Sequence, residues 1–156
     1  MDDFDEFYRD EYGSVLRTVR LALGDAGRAE EVTQEAFARA LRRWRVVREM
    51  ARPGGWVVVV AINADRKRWK SEPAPVDLES ASDVEDHAGS VATSVTLHAA
   101  LQQLTVRQRS AVVMRYLSDL TIADVAAALG CAEGTAKATI NQALRRLRVD
   151  LEEDAP

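Results

Sequence analysis

Cysteine and histidine are scarce in this chain, whose 156 residues include 1 cysteine (Cys131) and 2 histidines. A single cysteine excludes a disulfide framework, and so few thiols and imidazoles exclude a zinc finger. Glycine and proline are also few, at 8 and 4, whereas 47% of the residues are hydrophobic, so the chain can bury a core. No apolar run approaches the ~18 residues that cross a bilayer, and the acidic start MDDFDEF is unlike a signal peptide. We therefore expect a soluble, cytoplasmic protein with no metal site, no cofactor and no membrane insertion.

A basic excess is missing as well, because 21 lysines and arginines stand against 25 aspartates and glutamates for a net charge of −4. Coating DNA by charge alone needs a strong basic excess, so that mode of binding is excluded. Residues 73–96 hold five acidic and no basic side chains, together with two prolines and several serines. This composition predicts a flexible acidic linker between two compact units, 1–72 and 97–156. A long surface loop within one domain is the alternative, although structureless loops beyond ~15 residues are uncommon in compact domains.

The first unit has the residue spacing of an all-α fold. Apolar side chains recur at three- and four-residue steps over 4–23 and again over 29–44, which predicts two amphipathic helices. Asp25 is placed to cap the second of them. Residues 56–62 (WVVVVAI) are ambiguous, because β-branched residues favour strands. We expect a helix over 56–69, since no other segment offers a partner strand.

The second unit contains the pattern of a helix-turn-helix. Thr121 and Asp124 match a capping box, and the short apolar helix that they begin ends at Gly130, which is free to turn left-handed. Another helix begins near Glu133, and the small Ala126 lies where the two helices would cross. The pattern alone leaves two interpretations open: a DNA-binding module, or a packing unit whose arginines form a solvated face.

Three groups of residues, in order along the chain, carry a resemblance to a known family. They are 29–37 (AEEVTQEAF); Trp56 with Asn63 and 68–70 (RWK); and 104–109 (LTVRQR), 114–116 (MRY) and 129–137 (LGCAEGTAK). Together they resemble the extracytoplasmic-function (ECF) sigma factors of bacterial RNA polymerase. Region 2 of the family would span about 4–71 and region 4 about 97–151. Each fragment alone is a weak signal, but their order across an acidic segment is specific.

The resemblance implies a non-enzymatic protein that binds core RNA polymerase and directs promoter recognition, DNA melting and transcription initiation. It also admits an anti-sigma factor as a partner. The residues 46–55 would form a loop that holds an extruded promoter base. The implied polymerase-binding residues are Glu31, Gln34, Glu35 and Arg39. The implied DNA-binding residues are Asn63, Arg66, Lys67, Arg68, Trp69 and Lys70 in the first unit, and Arg107, Arg109, Thr135, Lys137, Ala138, Thr139 and Asn141 in the second.

Several positions depart from the family pattern, and those at Val58, Val59 and Thr139 reduce the positive charge of the DNA-facing segments, whereas Lys67 adds to it. Val58 and Val59 stand where relatives commonly carry basic residues, and Lys67 stands where an aspartate is common. Ala138 and Thr139 replace a common Ser-Arg pair. These changes give the hypothesis that the isolated protein binds duplex DNA poorly and depends on polymerase for its affinity.

Two other classes of function fit the residues if the resemblance is set aside. The chain could be a stand-alone helix-turn-helix regulator with a sensor or dimer module, or a helical adaptor that sequesters a protein partner. An enzyme is least expected, because the sequence offers no Ser/His/Asp set, glycine-rich phosphate loop or metal cluster. We expect Cys131, which falls in the turn, to be a small buried residue and not a redox sensor.

Overall fold

The computed structural model describes residues 2–69 and 93–153, and over these ranges the chain is all-α without a β-strand. The first unit contains α1 (Asp2–Leu23), α2 (Ala26–Arg42), the short α3 (Trp44–Val47) and α4 (Pro53–Trp69). The second contains α5 (Thr93–Gln102), α6 (Val106–Val112), a π-helical turn (Val113–Leu117), α7 (Ile122–Leu129) and α8 (Glu133–Glu153). The predicted helical class and helix-turn-helix are confirmed. Most of the predicted linker, 73–92, lies outside the described residues, and 93–96 belong to α5.

The junction of α1 and α2 follows the local signals in the sequence. Gly24 ends α1 with a positive φ of 72°, a conformation that glycine adopts without steric cost. The carboxylate of Asp25 then accepts a hydrogen bond of 3.0 Å from the backbone N–H of Arg28 and so caps α2. Val19 and Val32, one from each apolar stripe, are fully buried where the two helices pack together.

The valine tract is a helix, as predicted, but it begins at Pro53 and not at Trp56. Proline suits the first turn of a helix because its missing N–H would have no intrahelical partner there. Val57 and Val58 are both buried, because α4 packs against α1, α2 and α7 and is covered on several sides. A helix surrounded in this way needs apolar residues around most of its circumference, which explains why its pattern lacks a clear helical period.

Capping residues and one irregular turn set the ends of the helices in the second unit. Thr105 forms a capping box with Gln108, and Thr121 forms the predicted one with Asp124. Gly130 ends α7 in the left-handed region with φ of 65°. The π-helical turn was not predicted; it leads to Asp119, a non-glycine residue with φ of 57°.

The two units pack against each other through one continuous apolar core. Val57 and Ile62 of the first unit and Val125 and Leu129 of the second belong to the same cluster of buried side chains. A smaller cluster, which includes Leu101, lies within the second unit. The sequence indicated two separately packed units and gave no sign of this contact, because each apolar stripe could equally well close within its own unit. The division into domains at 1–72 and 97–156 stays a prediction.

Candidate polymerase and nucleic-acid interfaces

The implied polymerase-binding residues form one exposed stripe on α2. Glu31, Gln34, Glu35 and Arg39 are all exposed, and their spacing of three and four residues places them on a single helix face. Glu35 pairs with Arg39 at 3.0 Å, and both side chains are about half exposed, so this pair contributes little to stability. The structure therefore brings these four residues together on a face that the second unit does not cover.

Aromatic side chains of α1 and α2 pack together beneath the exposed stripe. The amide Nε2 of Gln34 donates a hydrogen bond of 2.9 Å to the Tyr12 hydroxyl on α1. Tyr12 stacks on Tyr8 with ring centroids 5.0 Å apart, and Tyr8 meets Phe37 of α2 edge-on at the same distance. Such ring pairs fix the crossing of the two helices, so the stripe on α2 is presented on a rigid support.

The carboxyl-terminal half of α4 carries the implied contacts to melted DNA. Asn63 and Lys67 are exposed, and they lie one helical turn apart on the same side of α4. The side-chain oxygen of Asn63 accepts hydrogen bonds from Nε and Nη2 of Arg66, both at 3.2 Å. Lys70, the last of this group, lies outside the described residues.

A buried carboxylate, which the sequence analysis missed, organises the same segment. Asp65 is fully buried and accepts hydrogen bonds from Nε of Arg28, from Nε1 of Trp69 at 2.8 Å and from Nε of Arg68 at 3.3 Å. The hydrogen bond to Asp65 raises the pKa of Arg28 above its usual value. Trp69 and Arg68, both implied DNA contacts, are thus engaged with a carboxylate inside the protein. A lone acidic residue immediately before the basic stretch 66–70 was the available signal.

The implied pocket for an extruded base differs from the expected loop. Val46 lies in α3, and the stretch from Pro53 onwards belongs to α4, so that only 48–52 separate the two helices. Val46 is 52% exposed, and a single exposed apolar side chain is ordinary at a protein surface. Trp56 is half-buried against the core. The prediction of a loop over 46–55 is therefore wrong for half of its length, and the role of this stretch as a pocket for a base stays a prediction.

In the helix-turn-helix, four of the five candidate DNA-binding residues on α8 are exposed, and the fifth is buried. Thr135, Lys137, Ala138 and Asn141 are exposed on the amino-terminal half of α8, where a recognition helix meets base edges. Thr139 is only 8% exposed, and its hydroxyl donates to the backbone carbonyl of Thr135 at 2.9 Å. Thr139 therefore faces inward with Ala136 and Ile140, away from the other four candidates.

Arg107 and Arg109, implied to touch DNA backbone, make contacts inside the protein. Nη2 of Arg107 donates to the carbonyl oxygen of Leu129 at 3.3 Å, across the helix-turn-helix. Arg109 is 7% exposed and donates to the backbone carbonyls of Ala22 at 2.8 Å and Leu23 at 3.1 Å, which are the last residues of α1. The DNA contact of Arg109 stays a prediction, and it requires the two units to separate.

Further contacts join the two units beside the implied DNA surfaces. The guanidinium of Arg66 lies so close over Gly130 that a Cβ at that glycine would be 2.6 Å from its Cζ. Nη1 of Arg52 donates to the carbonyl oxygens of Asp119 at 2.6 Å and of Ser118 at 3.2 Å. In this arrangement, which we call closed, α4 and the helix-turn-helix formed by α7 and α8 are held against each other.

The part of the chain that the structure describes holds no group of three or more His, Cys, Asp or Glu side chains arranged to bind a metal ion. Within the same ranges, no helix has the length and apolar content to cross a membrane. Cys131 is a free, half-buried thiol, less buried than the sequence analysis expected.

Comparisons with known proteins decide the family. Residues 7–72 match the family model for Sigma-70 region 2, and residues 94–147 match that for Sigma-70, region 4. The chain is 31% identical over 152 residues to the RNA polymerase sigma-E factor of Streptomyces coelicolor, a comparison that covers 96% of this chain and 86% of that protein. It is 33% identical over 146 residues to the ECF RNA polymerase sigma factor SigM of Mycobacterium tuberculosis, with 92% and 74% covered. The chain belongs to the ECF sigma factors.

A solved structure shows the same fold in a more distant sigma factor. RpoE of Bartonella quintana, crystallised with the anti-sigma factor NepR, superposes with a TM-score of 0.69 at 22% identity and covers 99% of this chain and 100% of that one. As an ECF sigma factor, the protein directs transcription initiation by core RNA polymerase at promoter DNA. The exposed stripe on α2 and the carboxyl-terminal half of α4 fall within its region 2, and α7 and α8 fall within its region 4 up to residue 147.

Proposed function

We propose that this sigma factor docks on core polymerase through the α2 stripe Glu31, Gln34, Glu35 and Arg39. Melted promoter DNA then lies along the exposed side of α4, where Asn63 faces the bases and the basic residues 66–70 meet phosphates. The amino-terminal half of α8 enters the major groove of the upstream duplex element. The protein works in the cytoplasm as a binding subunit without catalysis of its own. An anti-sigma factor, like the one bound to its Bartonella quintana relative, is a further proposed partner.

We infer that polymerase docks before the two units separate, and one observation supports this order. The α2 stripe is exposed in the closed arrangement, whereas Arg66 and Arg109 make contacts between the units. Polymerase can therefore reach its docking surface before the units separate. The two DNA surfaces cannot yet act together, because α4 packs directly against α7. Contact with two promoter elements one or more helical turns apart requires a separation of ~34 Å or more. Docking thus precedes opening, and opening precedes engagement of both elements.

Charge reversal on the stripe tests the docking surface. Glu35→Arg removes only one exposed ion pair within the protein, so the folded chain keeps its stability to within about 0.5 kcal/mol. Glu6→Arg is the matched control, because Glu6 is an exposed acid on α1, away from the stripe. We expect Glu35→Arg to weaken binding to core polymerase at least about tenfold, since like charges would then meet at the interface. Promoter-dependent run-off transcription should fall in parallel, and equal activity of the two variants would contradict the assignment.

A further inference from the structure

The buried carboxylate of Asp65 lies at the centre of the segment that would hold melted DNA. Its side chain is 1% exposed, although residues on either side of it in the sequence, including Asn63 and Lys67, are exposed. Its hydrogen bonds reach in two directions: to Arg28 at the start of α2, and to Trp69 and Arg68 at the end of α4. One carboxylate thus connects the helix that bears the polymerase stripe to the last turn of the melting helix.

Stability alone gives a weak reason for such an arrangement. A buried ion pair costs desolvation energy that is recovered only with excellent geometry, and apolar side chains of similar size are often neutral or better in its place. What an apolar residue at position 65 could not do is accept the hydrogen bond from the Trp69 indole. Without that acceptor, the indole N–H of Trp69, whose ring is partly buried against the core, would lose the hydrogen bond that sets its orientation.

We propose that Asp65 is a positioning residue for promoter melting, which sets Trp69 and Arg68 in one conformation before DNA arrives. Unstacked bases gain free energy from stacking on an aromatic or guanidinium plane only if that plane is correctly placed. A surface ordered in advance does not lose side-chain entropy when the melted strand binds. This inference depends on the proposed role of α4 in holding melted DNA.

Two double variants separate positioning from folding. Arg28→Met with Asp65→Leu removes the ion pairs of Arg28 with Asp65 and with Glu31, and also the acceptor for Trp69. Arg28→Met with Asp65→Asn removes the same two ion pairs but keeps a side-chain oxygen for the indole N–H, so any effect of losing the Glu31 pair is common to both variants. The asparagine variant buries amide hydrogens that lose their partners, so it should be the less stable of the two in thermal unfolding. Stability and positioning therefore predict opposite orders for the two variants.

The measurement is the affinity of reconstituted holoenzyme for two DNA probes made from a promoter mapped by run-off transcription. One probe is a fork whose single-stranded overhang spans the melted segment, and the other is the upstream duplex alone. We expect the leucine variant to bind the fork about tenfold more weakly than the wild type, and the asparagine variant to stay within about twofold. Neither variant should differ on the upstream duplex.

Two results would overturn the inference: wild-type affinity of the leucine variant for the fork, or losses that follow the order of thermal stability. Failure of the proposed function has a different signature, because the wild-type holoenzyme itself would then show no preference for the fork over the duplex. That outcome would remove the assignment of α4 and, with it, the role of Asp65.

Discussion

Arg109 offers the sharpest test of the closed arrangement, because its buried guanidinium joins the second unit to the end of α1. Two of its hydrogen bonds cross between the units, to the carbonyls of Ala22 and Leu23. These carbonyls belong to the last turn of α1, where no intrahelical N–H is available and where the helix dipole favours a cation. Arg109→Met keeps most of the aliphatic packing and removes both bonds.

The expected size of the effect follows from those two bonds. A hydrogen bond to a charged group contributes about 1.5–3 kcal/mol, so the contact between the units should lose roughly 3 kcal/mol or more. At 1.4 kcal/mol per factor of ten, this shifts the balance between closed and separated units by about a hundredfold. The apolar contacts between α4 and α7 remain, so each unit should keep its helical content.

Energy transfer between two dyes measures this shift directly. The dyes are attached to cysteines placed at the exposed positions Asp10 and Gln142, one in each unit, after Cys131→Ser removes the natural thiol. We expect Arg109→Met to lower the transfer efficiency, with unchanged far-UV circular dichroism. Arg145→Met, at an exposed position of α8, is the control and should leave the transfer unchanged. Unchanged transfer in the Arg109 variant would refute the idea that this residue holds the units together.

Two further substitutions test the packing inside and between the units. Gly55→Val should weaken the contact between the units, because even a Cβ at that position would lie 2.7 Å from Cδ2 of Leu120 on the other unit, so that this buried side chain would have to shift; the same dye pair reports it, without touching a basic residue. Thr33→Val should raise the free energy of unfolding by about 1 kcal/mol in urea titrations, because the buried Thr33 hydroxyl has no hydrogen-bond partner among the described residues and its desolvation is uncompensated. A loss of stability in that variant would show that the hydroxyl has a partner.

Local features of the fold were predictable from the sequence, because each depends on neighbouring residues. The cap at Thr121, the left-handed Gly130 and the cap at Asp25 all follow from the chemistry of a few consecutive positions. The secondary structure of the valine tract was harder to predict, because β-branched residues favour strands and a uniformly apolar run shows no helical period. It became predictable only through the absence of a partner strand elsewhere in the chain.

Long-range partners could not be predicted in the same way. Arg28 and Asp65 are 37 positions apart, and Arg109 lies 87 positions from Ala22. Nothing in the spacing of an arginine tells whether its guanidinium will meet a phosphate of DNA or a carbonyl at a helix end, since both are acceptors with similar geometry. The four residues implied to bind polymerase needed no such partner; they lie together on an exposed face of α2, and their role stays a prediction.

The closed arrangement adds a second physical reason to the hypothesis that the isolated protein binds duplex DNA poorly. On that hypothesis, the positive charge missing at Val59 would lower the affinity of the separated units for DNA, whereas Val58 is buried and Thr139 faces inward, so that neither position adds a DNA contact in this structure. Closure lowers the affinity further, because a guanidinium that donates to Ala22 and Leu23 cannot at the same time donate to a phosphate. The apparent affinity is the intrinsic affinity multiplied by the open fraction, so the two effects multiply. Separation of the units would relieve only the second effect, so we expect docking on polymerase to raise the affinity for DNA through the open fraction alone.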